Sequence, residues 1–247
     1  MKFLSKVVQP FIKCMHCVLS VGPMPSHIGF IMDGNRRYAT KNKLKQVAGH
    51  EAGYSALLSM VTYCYEMGIK YVTAYAFSIM DLMTEKFELL CRKDSFFNGY
   101  GIRVHISRNL QLLPQHSRDT ANKLMASTVN NSGLLLTICM AYTSTDEINH
   151  AVEKCCQEKW VKNDGGIISL ADIEKRMYMK IAPDPDIIIR TSGESRLSNF
   201  LLWQTAGSYL YSTSALCPEI GIWHLVWAVF NFQRYQLFQK KKNKHLK

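Results

Sequence analysis

Short apolar runs alternate along this chain with longer stretches in which apolar residues recur every three or four positions. Ile28 to Met32, Tyr71 to Phe77, Arg103 to Ile106, Leu134 to Met140 and Ile187 to Ile189 read as strands. Ala52 to Met67, roughly Met80 to Asn98, His116 to Asn130, Asp146 to Trp160 and Leu170 to Met179 read as the helices between them. Ser144 and Glu147 have capping-box spacing where the fourth of these helices begins. A last long helix is expected from about Glu219 to Gln239, with Trp223, Val226, Trp227, Phe230 and Phe238 as an apolar stripe that reads as core or interface packing. This order is that of successive βα units, so the fold class is α/β: one domain with a mostly parallel central sheet flanked by helices. Ligands of such sheets gather beyond the carboxyl ends of the strands, so the residues that follow the apolar runs carry the most information.

Composition sharpens the picture in three places. A length of 247 residues with 47% hydrophobic content suits one sizeable core. Residues 25–239 are expected to form it, between a leader at 1–24 and a basic tail at 240–247. Thirty Lys and Arg against nineteen Asp and Glu give a formal charge of +11, which calls for an anionic partner: a phosphorylated small molecule, an acidic membrane surface or nucleic acid. Part of that excess is the tail Lys240, Lys241, Lys242, Lys244 and Lys247, which reads as a solvated end. Eight cysteines in a chain with its own core need not be staples, and no cleavable signal peptide is evident, so a reducing, cytosol-facing location is expected. Cys14 and Cys17 have metal-like spacing without a second pair, and Cys155 and Cys156 fall in a helical pattern, so neither pair is read as a metal site. From Met1 to Val21 lysines interrupt the apolar residues and no acid occurs; the segment fits an amphipathic element on a membrane surface and a frayed cationic leader equally.

Two clusters of chemistry follow two of the runs. Asp33, Gly34, Asn35, Arg36 and Arg37 close the first: a carboxylate able to hold Mg²⁺, a glycine that lets backbone N–H groups approach phosphate oxygens, and paired arginines at a helix start. The same residues also fit an Asp-Gly turn followed by solvated arginines. The last run leads into Arg190, Thr191, Ser192, Gly193, Glu194, Ser195, Arg196, Leu197 and Ser198, a second anion site at the same sheet edge unless Glu194 merely pairs with Arg190 or Arg196. His50, after Gly49, is placed to donate to a phosphate oxygen or to act as an ordinary structural hydrogen-bonder.

Four blocks in order, from His27 to Tyr38, Gly49-His50, Tyr75 to Ser78 and Ile189 to Gln204, resemble the signature blocks of cis-prenyltransferases, and the likeness extends from Pro25 to Gln233. It is greatest to the eukaryotic branch of dehydrodolichyl diphosphate synthases and rubber-type plant enzymes. The resemblance implies a Mg²⁺-dependent transferase that condenses isopentenyl diphosphate onto an allylic primer such as farnesyl diphosphate, building a long-chain cis-polyprenyl diphosphate. It implies that Asp33 is catalytic and holds the metal. The primer diphosphate would lie over Gly34, Asn35, Arg36, Arg37 and His50, isopentenyl diphosphate on Arg190, Arg196 and Ser198, and Ser78 would be a further substrate contact. It also implies peripheral contact with the cytoplasmic face of the endoplasmic reticulum membrane, or a cytosolic location, and assembly as a homodimer or with a homologous non-catalytic subunit. No Asp-Asp-x-x-Asp occurs, which argues against the all-helical trans enzymes. A growing hydrocarbon needs a dry tunnel, for which Leu57, Met60, Val61, Met83, Phe87 and Leu90 are candidates by helical spacing.

The sequence departs from the family pattern after Ser78, where an Asn-aromatic-x-Arg element and a loop are expected and Ile79 instead runs directly into Met80 to Phe87. Gln46 stands where many members carry arginine, Tyr209 where bacterial members carry a metal-facing acid, and Tyr38 where they carry tryptophan. Two enzyme-class readings result, an active synthase and a weakly active or non-catalytic subunit. Nothing resembles a recognition helix, zinc finger or RNP-type strand, so nucleic acid is not expected as a partner.

Overall fold

The computed structural model describes residues 2–75, 90, 95–107, 115–161 and 167–245. Its elements are α1 (Lys2–Leu19), β1 (His27–Ile31), α2 (Asn35–Lys41), α3 (Gln46–Glu66), β2 (Tyr71–Tyr75), α4 (Phe96–Gly99), β3 (Arg103–Ser107), α5 (Gln115–Ser127), β4 (Leu135–Cys139), α6 (Ser144–Val161), α7 (Leu170–Glu174), a 3₁₀ turn (Tyr178–Ile181), β5 (Ile187–Arg190), β6 (Tyr209–Ser212) and α8 (Ile222–His245). The strands form one sheet in the order β3-β4-β2-β1-β5-β6, and every pairing is parallel.

The central strands lack polar alternation because both faces are covered. On β5, Ile187 and Ile189 enter the main core with Ile28 and Phe30 of β1, while Ile188 faces the other way. One face carries α3, α5 and α8 through Leu57, Met60, Leu124, Leu225 and Val229, and α1 joins that layer through Ile12 and Leu19. The other face carries a smaller cluster of Ile31, Tyr75, Cys139, Tyr142, Met179, Ile188, Phe200 and Leu201. Gly29 points toward this side, where a Cβ would come within 2.5 Å of Ile188 Cδ1. Of the tunnel candidates, Leu57, Met60, Val61 and Leu90 belong to the packed main core, and Met83 and Phe87 lie outside the described residues.

Several expectations need correction. The helix expected at Leu170 to Met179 stops at Glu174, its chain continuing into the 3₁₀ turn, because Met177 and Met179 are spaced to bury one side of a non-helical segment. The helix expected from Ala52 begins at Gln46, and β6 was not anticipated. Most of the helix expected at Met80 to Asn98 lies outside the described residues, but it does not run through to Asn98: Ser95 is in extended backbone and caps a separate short helix, α4. Ser144 and Glu147 do begin a helix but do not cap it. Thr143 Oγ1 accepts from the Asp146 amide at 3.1 Å, while Ser144 Oγ accepts from the Leu202 amide at 2.8 Å and Glu147 is fully buried. The seven described cysteines are free, and among the described residues no three of His, Cys, Asp and Glu gather as metal ligands.

β1 hands its chain on toward β2, and β5 hands its chain the opposite way toward β6. Between their carboxyl ends lies the switch point of the sheet, where an open α/β fold leaves a crevice.

Candidate active site

Asp33 follows β1 and Arg190 ends β5, so the register that pairs Ile31 with Arg190 brings them to the two sides of that crevice. Arg190 Nη2 lies 3.0 Å from Asp33 Oδ2, with the Arg190 side chain 6% exposed and that of Asp33 38% exposed. Arg190 Nη1 donates to Ser198 Oγ at 2.8 Å and to the Arg196 carbonyl, so the guanidinium is fixed from two loops. On the open side, Asp33 Oδ1 has Arg37 Nη2 at 3.6 Å, beyond hydrogen-bond length. One carboxylate oxygen is thus committed to a buried cation and the other is turned to the opening.

Backbone contacts hold this geometry. The Asp33 amide donates to Thr191 Oγ1 at 2.8 Å, and that hydroxyl donates to the Asp33 carbonyl at 2.7 Å, which also accepts from the Cys217 amide at 2.9 Å. Gly34 has φ +102°, and a Cβ there would meet Ser192 Oγ at 2.5 Å, so the turn needs glycine for both conformation and space. The Asn35 side chain is buried and packs into α3, where Gly53 leaves room for it and Gly49 for the Asn35 backbone carbonyl. It lines neither cavity described below, and only its backbone opens α2 beside Asp33.

Above the Asp33–Arg190 pair lies a cavity of about 290 Å³ lined by Ile31, Met32, Asp33, Arg36, His50, Tyr75, Arg190, Arg196 and Ser198. A wider one of about 790 Å³ is lined by Asp33, Gly34, Arg36, Arg37, Thr40, Lys41, Glu194 and Arg196. Asp33, Arg36 and Arg196 are common to both, so they are lobes of one basin. The floor and rim together hold five cations against two acids, and Glu194 is already engaged by Arg196 at 2.8 Å. Such a balance of charge favours a polyanionic ligand. Partial burial, aided by the charge of Arg36, lowers the pKa of His50 below its ordinary value, and among the described residues its Nδ1 has no hydrogen-bond partner. It is placed to hydrogen-bond a ligand.

The loop that supplies Arg196 and Ser198 is held under strain. Ser198, Asn199 and Leu201 adopt φ of 50°, 60° and 49°, conformations that cost non-glycine residues on the order of 1 kcal/mol each. Asn199 is tied to the start of α6, its carbonyl accepting from Ser144 N at 2.8 Å and its Oδ1 from Thr145 N at 3.2 Å. Phe200 stacks on Tyr75 at 4.9 Å, and Gln204 Nε2 donates to Glu147 Oε2 at 3.0 Å. Glu147 also accepts from the Tyr142 hydroxyl at 2.6 Å and the Met179 amide at 2.8 Å.

The basin therefore gathers Asp33, Gly34, Arg36, Arg37, His50, Arg190, Arg196 and Ser198, leaves the Asn35 side chain beneath it, and says nothing of Ser78, which lies outside the described residues. Tyr209 is at the start of β6, paired with Ile187 at the opposite end of the strand from Arg190, and its ring lies against Tyr235. Sequence reading named Thr191 and Tyr75 only as members of their clusters, without a role, and passed over Lys41. Thr191 directly follows a strand end, Tyr75 ends the strand beside Ile31, and Lys41 is one helical turn beyond Arg37, so each had a positional signal.

The profile of the undecaprenyl diphosphate synthase family of prenyltransferases matches residues 31–239, and the chain belongs to that family. Among curated relatives, dehydrodolichyl diphosphate synthase CPT3 of Solanum lycopersicum is 47% identical over 277 aligned residues, covering 98% of this chain and 96% of that protein. Dehydrodolichyl diphosphate synthase 6 of Arabidopsis thaliana is 49% identical, covering 93% of this chain and 89% of that one. The first alignment is longer than the 247 residues of this chain, so it opens gaps in it. Among solved structures, lavandulyl diphosphate synthase of Lavandula x intermedia, in complex with dimethylallyl diphosphate, superposes with a TM-score of 0.76 at 25% identity, covering 85% of this chain and 95% of that one.

Proposed function

We propose that this chain condenses isopentenyl diphosphate onto an allylic diphosphate of the farnesyl type, lengthening it as a cis-polyprenyl diphosphate of the dehydrodolichyl kind. The observation that carries the reading is the Asp33–Arg190 contact of 3.0 Å on the floor of a basin rimmed by Arg36, Arg37 and Arg196. In this reading Arg36, Arg37 and the start of α2 hold the allylic diphosphate, and Arg190, Arg196 and Ser198 hold that of isopentenyl diphosphate. The allylic C–O bond breaks, diphosphate leaves among the arginines, and the isopentenyl double bond attacks the carbon left positive. Loss of a proton from that adduct then forms the new cis double bond. Preorganised cations act where charge develops on the leaving oxygen, the term with most leverage on such a barrier. His50 supplies a directed hydrogen bond to a diphosphate oxygen.

Asp33 fits Mg²⁺ because one of its oxygens is turned to the opening and the ion takes one or two carboxylates, with substrate phosphates as its other ligands. Held there, Mg²⁺ would neutralise charge on the departing diphosphate. The alternative, a non-catalytic subunit, is disfavoured by the intact diphosphate basin and by relatives named as synthases along nearly the whole chain. The same reading places the chain peripherally at the cytoplasmic face of the endoplasmic reticulum membrane or in the cytosol. It includes assembly with a second copy or a homologous subunit, which sedimentation equilibrium with and without that subunit would test.

Incorporation of radiolabelled isopentenyl diphosphate into butanol-extractable product, with farnesyl diphosphate and Mg²⁺, tests the function. Elongated product from the chain, lost in Asp33→Ala, is the expected result. Product seen only after an Asn-aromatic-x-Arg element is inserted behind Ser78 would instead assign this form to the silent subunit class.

A further inference from the structure

α8 has two apolar faces. Leu225, Val226, Ala228, Val229 and Phe232 are buried in the core, whereas Trp223, Trp227, Phe230, Leu237 and Phe238 are exposed, the two tryptophans by 63% and 55% and Phe238 by 65%. Trp223, Trp227, Phe230 and Leu237 recur at intervals of four, three and seven residues, with Phe238 beside Leu237, and so form one stripe along the helix, with Arg234 within it. The stripe continues onto α1, where Phe11 meets Trp223 edge-on at 5.3 Å and Val18, Cys14 and Cys17 lie on the exposed side. Single exposed apolar residues are ordinary, but a contiguous aromatic face marks something that covers it.

Charge decides what that is. Neither α1 nor α8 contains an acidic residue over 18 and 24 positions, while α8 carries Arg234 and a run of lysines toward its end. The Arg234 guanidinium sits 5.9 Å from the Phe230 ring centroid, so cation and aromatic occupy the same face. Tryptophan and phenylalanine bordered by lysine and arginine, without acid, match the interface between lipid headgroups and acyl chains. No described helix is long and apolar enough to cross a membrane, so the geometry is that of an element lying on one.

We propose that the aromatic face of α8, continued by the exposed side of α1, docks this protein onto an anionic lipid bilayer. The face starts close to the basin, since α8 begins three residues after the Cys217–Glu219 turn whose first amide bonds to Asp33, and it shares a layer with α3. A product with a diphosphate head and a long apolar tail would thus be made against the surface that can receive it. That purpose rests on the transferase reading; the docking does not, and its test needs no turnover.

Flotation of the full chain with vesicles of phosphatidylcholine, alone or with phosphatidylserine, reads the partition directly. Binding is expected with phosphatidylserine, weakened by added salt, and the Trp227→Ala, Phe230→Ala double variant is expected to bind roughly tenfold less. Brominated acyl chains should quench tryptophan fluorescence in the unmodified chain. In Trp223→Phe, Trp227→Phe, which keeps the apolar area, binding should persist and most quenching should vanish. Circular dichroism confirms that these surface variants fold. Equal binding to neutral and anionic vesicles, unchanged binding of the alanine variant, or quenching that survives in the phenylalanine variant would overturn the proposal. So would a concentration-dependent dimer that the alanine changes dissolve while flotation is unaffected, since the face would then belong to a protein partner.

Discussion

Asp33 and Glu147 are both acids drawn toward the protein interior beside the same sheet, and they differ in what is left over once their contacts are counted. Glu147 is fully buried, and its two oxygens take hydrogen bonds from the Tyr142 hydroxyl, the Gln204 amide and the Met179 amide. Burial, reinforced by the Glu147 charge, pushes the Tyr142 phenol far above its ordinary pKa, so it remains a donor at any pH the protein meets. Asp33 gives one oxygen to Arg190 and keeps the other at the mouth of a cationic basin. A saturated acid can only hold structure, whereas an acid with one open oxygen beside cations can bind a metal and a polyanion. The two are coupled, because Glu147 fastens Gln204, and Gln204 ends the loop that presents Arg196 and Ser198.

Substitutions that strike one acid and spare the other sharpen this contrast. The largest effect is expected from Asp33→Ala or Arg190→Ala, with kcat per folded molecule falling about 10³-fold and the melting temperature falling as well, because each change breaks an ion pair in which Arg190 is buried, as steady-state kinetics and calorimetry would register. Glu147→Ala should act chiefly on stability, which falls on the order of 4 kcal/mol in urea titrations, from three buried donors left without acceptors, with kcat per folded molecule much better preserved. Third is acid sensitivity from His27. Its ring donates from Nδ1 to the Pro183 carbonyl at 2.5 Å and meets Thr73 Oγ1 at 2.8 Å, and burial lowers its pKa to about 4. The unfolded chain takes up a proton near pH 6.5 that the folded chain refuses until about pH 4, so this contribution is full above 6.5 and lost as pH falls to 4. It amounts to about 3 kcal/mol, and His27→Gln should flatten that part of the pH–stability curve. Gly34→Ala, forcing a Cβ against Ser192 at φ +102°, should cost roughly 2 kcal/mol in the same titrations and lower kcat by displacing Asp33. The smallest change is Lys41→Ala, which removes an exposed 2.6 Å pair with Glu219 and should alter stability by less than about 1 kcal/mol.

The sequence made the central strands legible because a strand covered on both faces is an unbroken apolar run, and β1, β2, β4 and β5 are such strands. β6 escaped notice because Tyr209–Ser212 is a four-residue edge strand alternating between half-buried and exposed. Gly49 delayed the expected start of α3, since a glycine near a helix start reads as a breaker until the Asn35 backbone is seen packed against it. The two anion clusters were readable from residue type alone, and their meeting required only that both follow neighbouring strands. What local pattern could not reveal is a contact whose partners are far apart in the chain. Ser144 and Glu147 have the spacing of a cap, yet their partners are Leu202 and Gln204. The stripe on α8 was likewise visible, but only the packed structure separates Val226, which is core, from Trp223 and Trp227, which are not.

The central claim is that Asp33 and Arg190 together make one metal-assisted diphosphate site, and equilibrium binding of a non-reacting allylic thiolodiphosphate, with and without Mg²⁺, tests it most directly. The account predicts that Mg²⁺ tightens binding at least about tenfold in the unmodified chain, that Asp33→Ala abolishes this gain, and that Arg190→Ala weakens binding whether or not Mg²⁺ is present. Equal affinity with and without Mg²⁺, or an Arg190→Ala chain that binds like the parent, would contradict it.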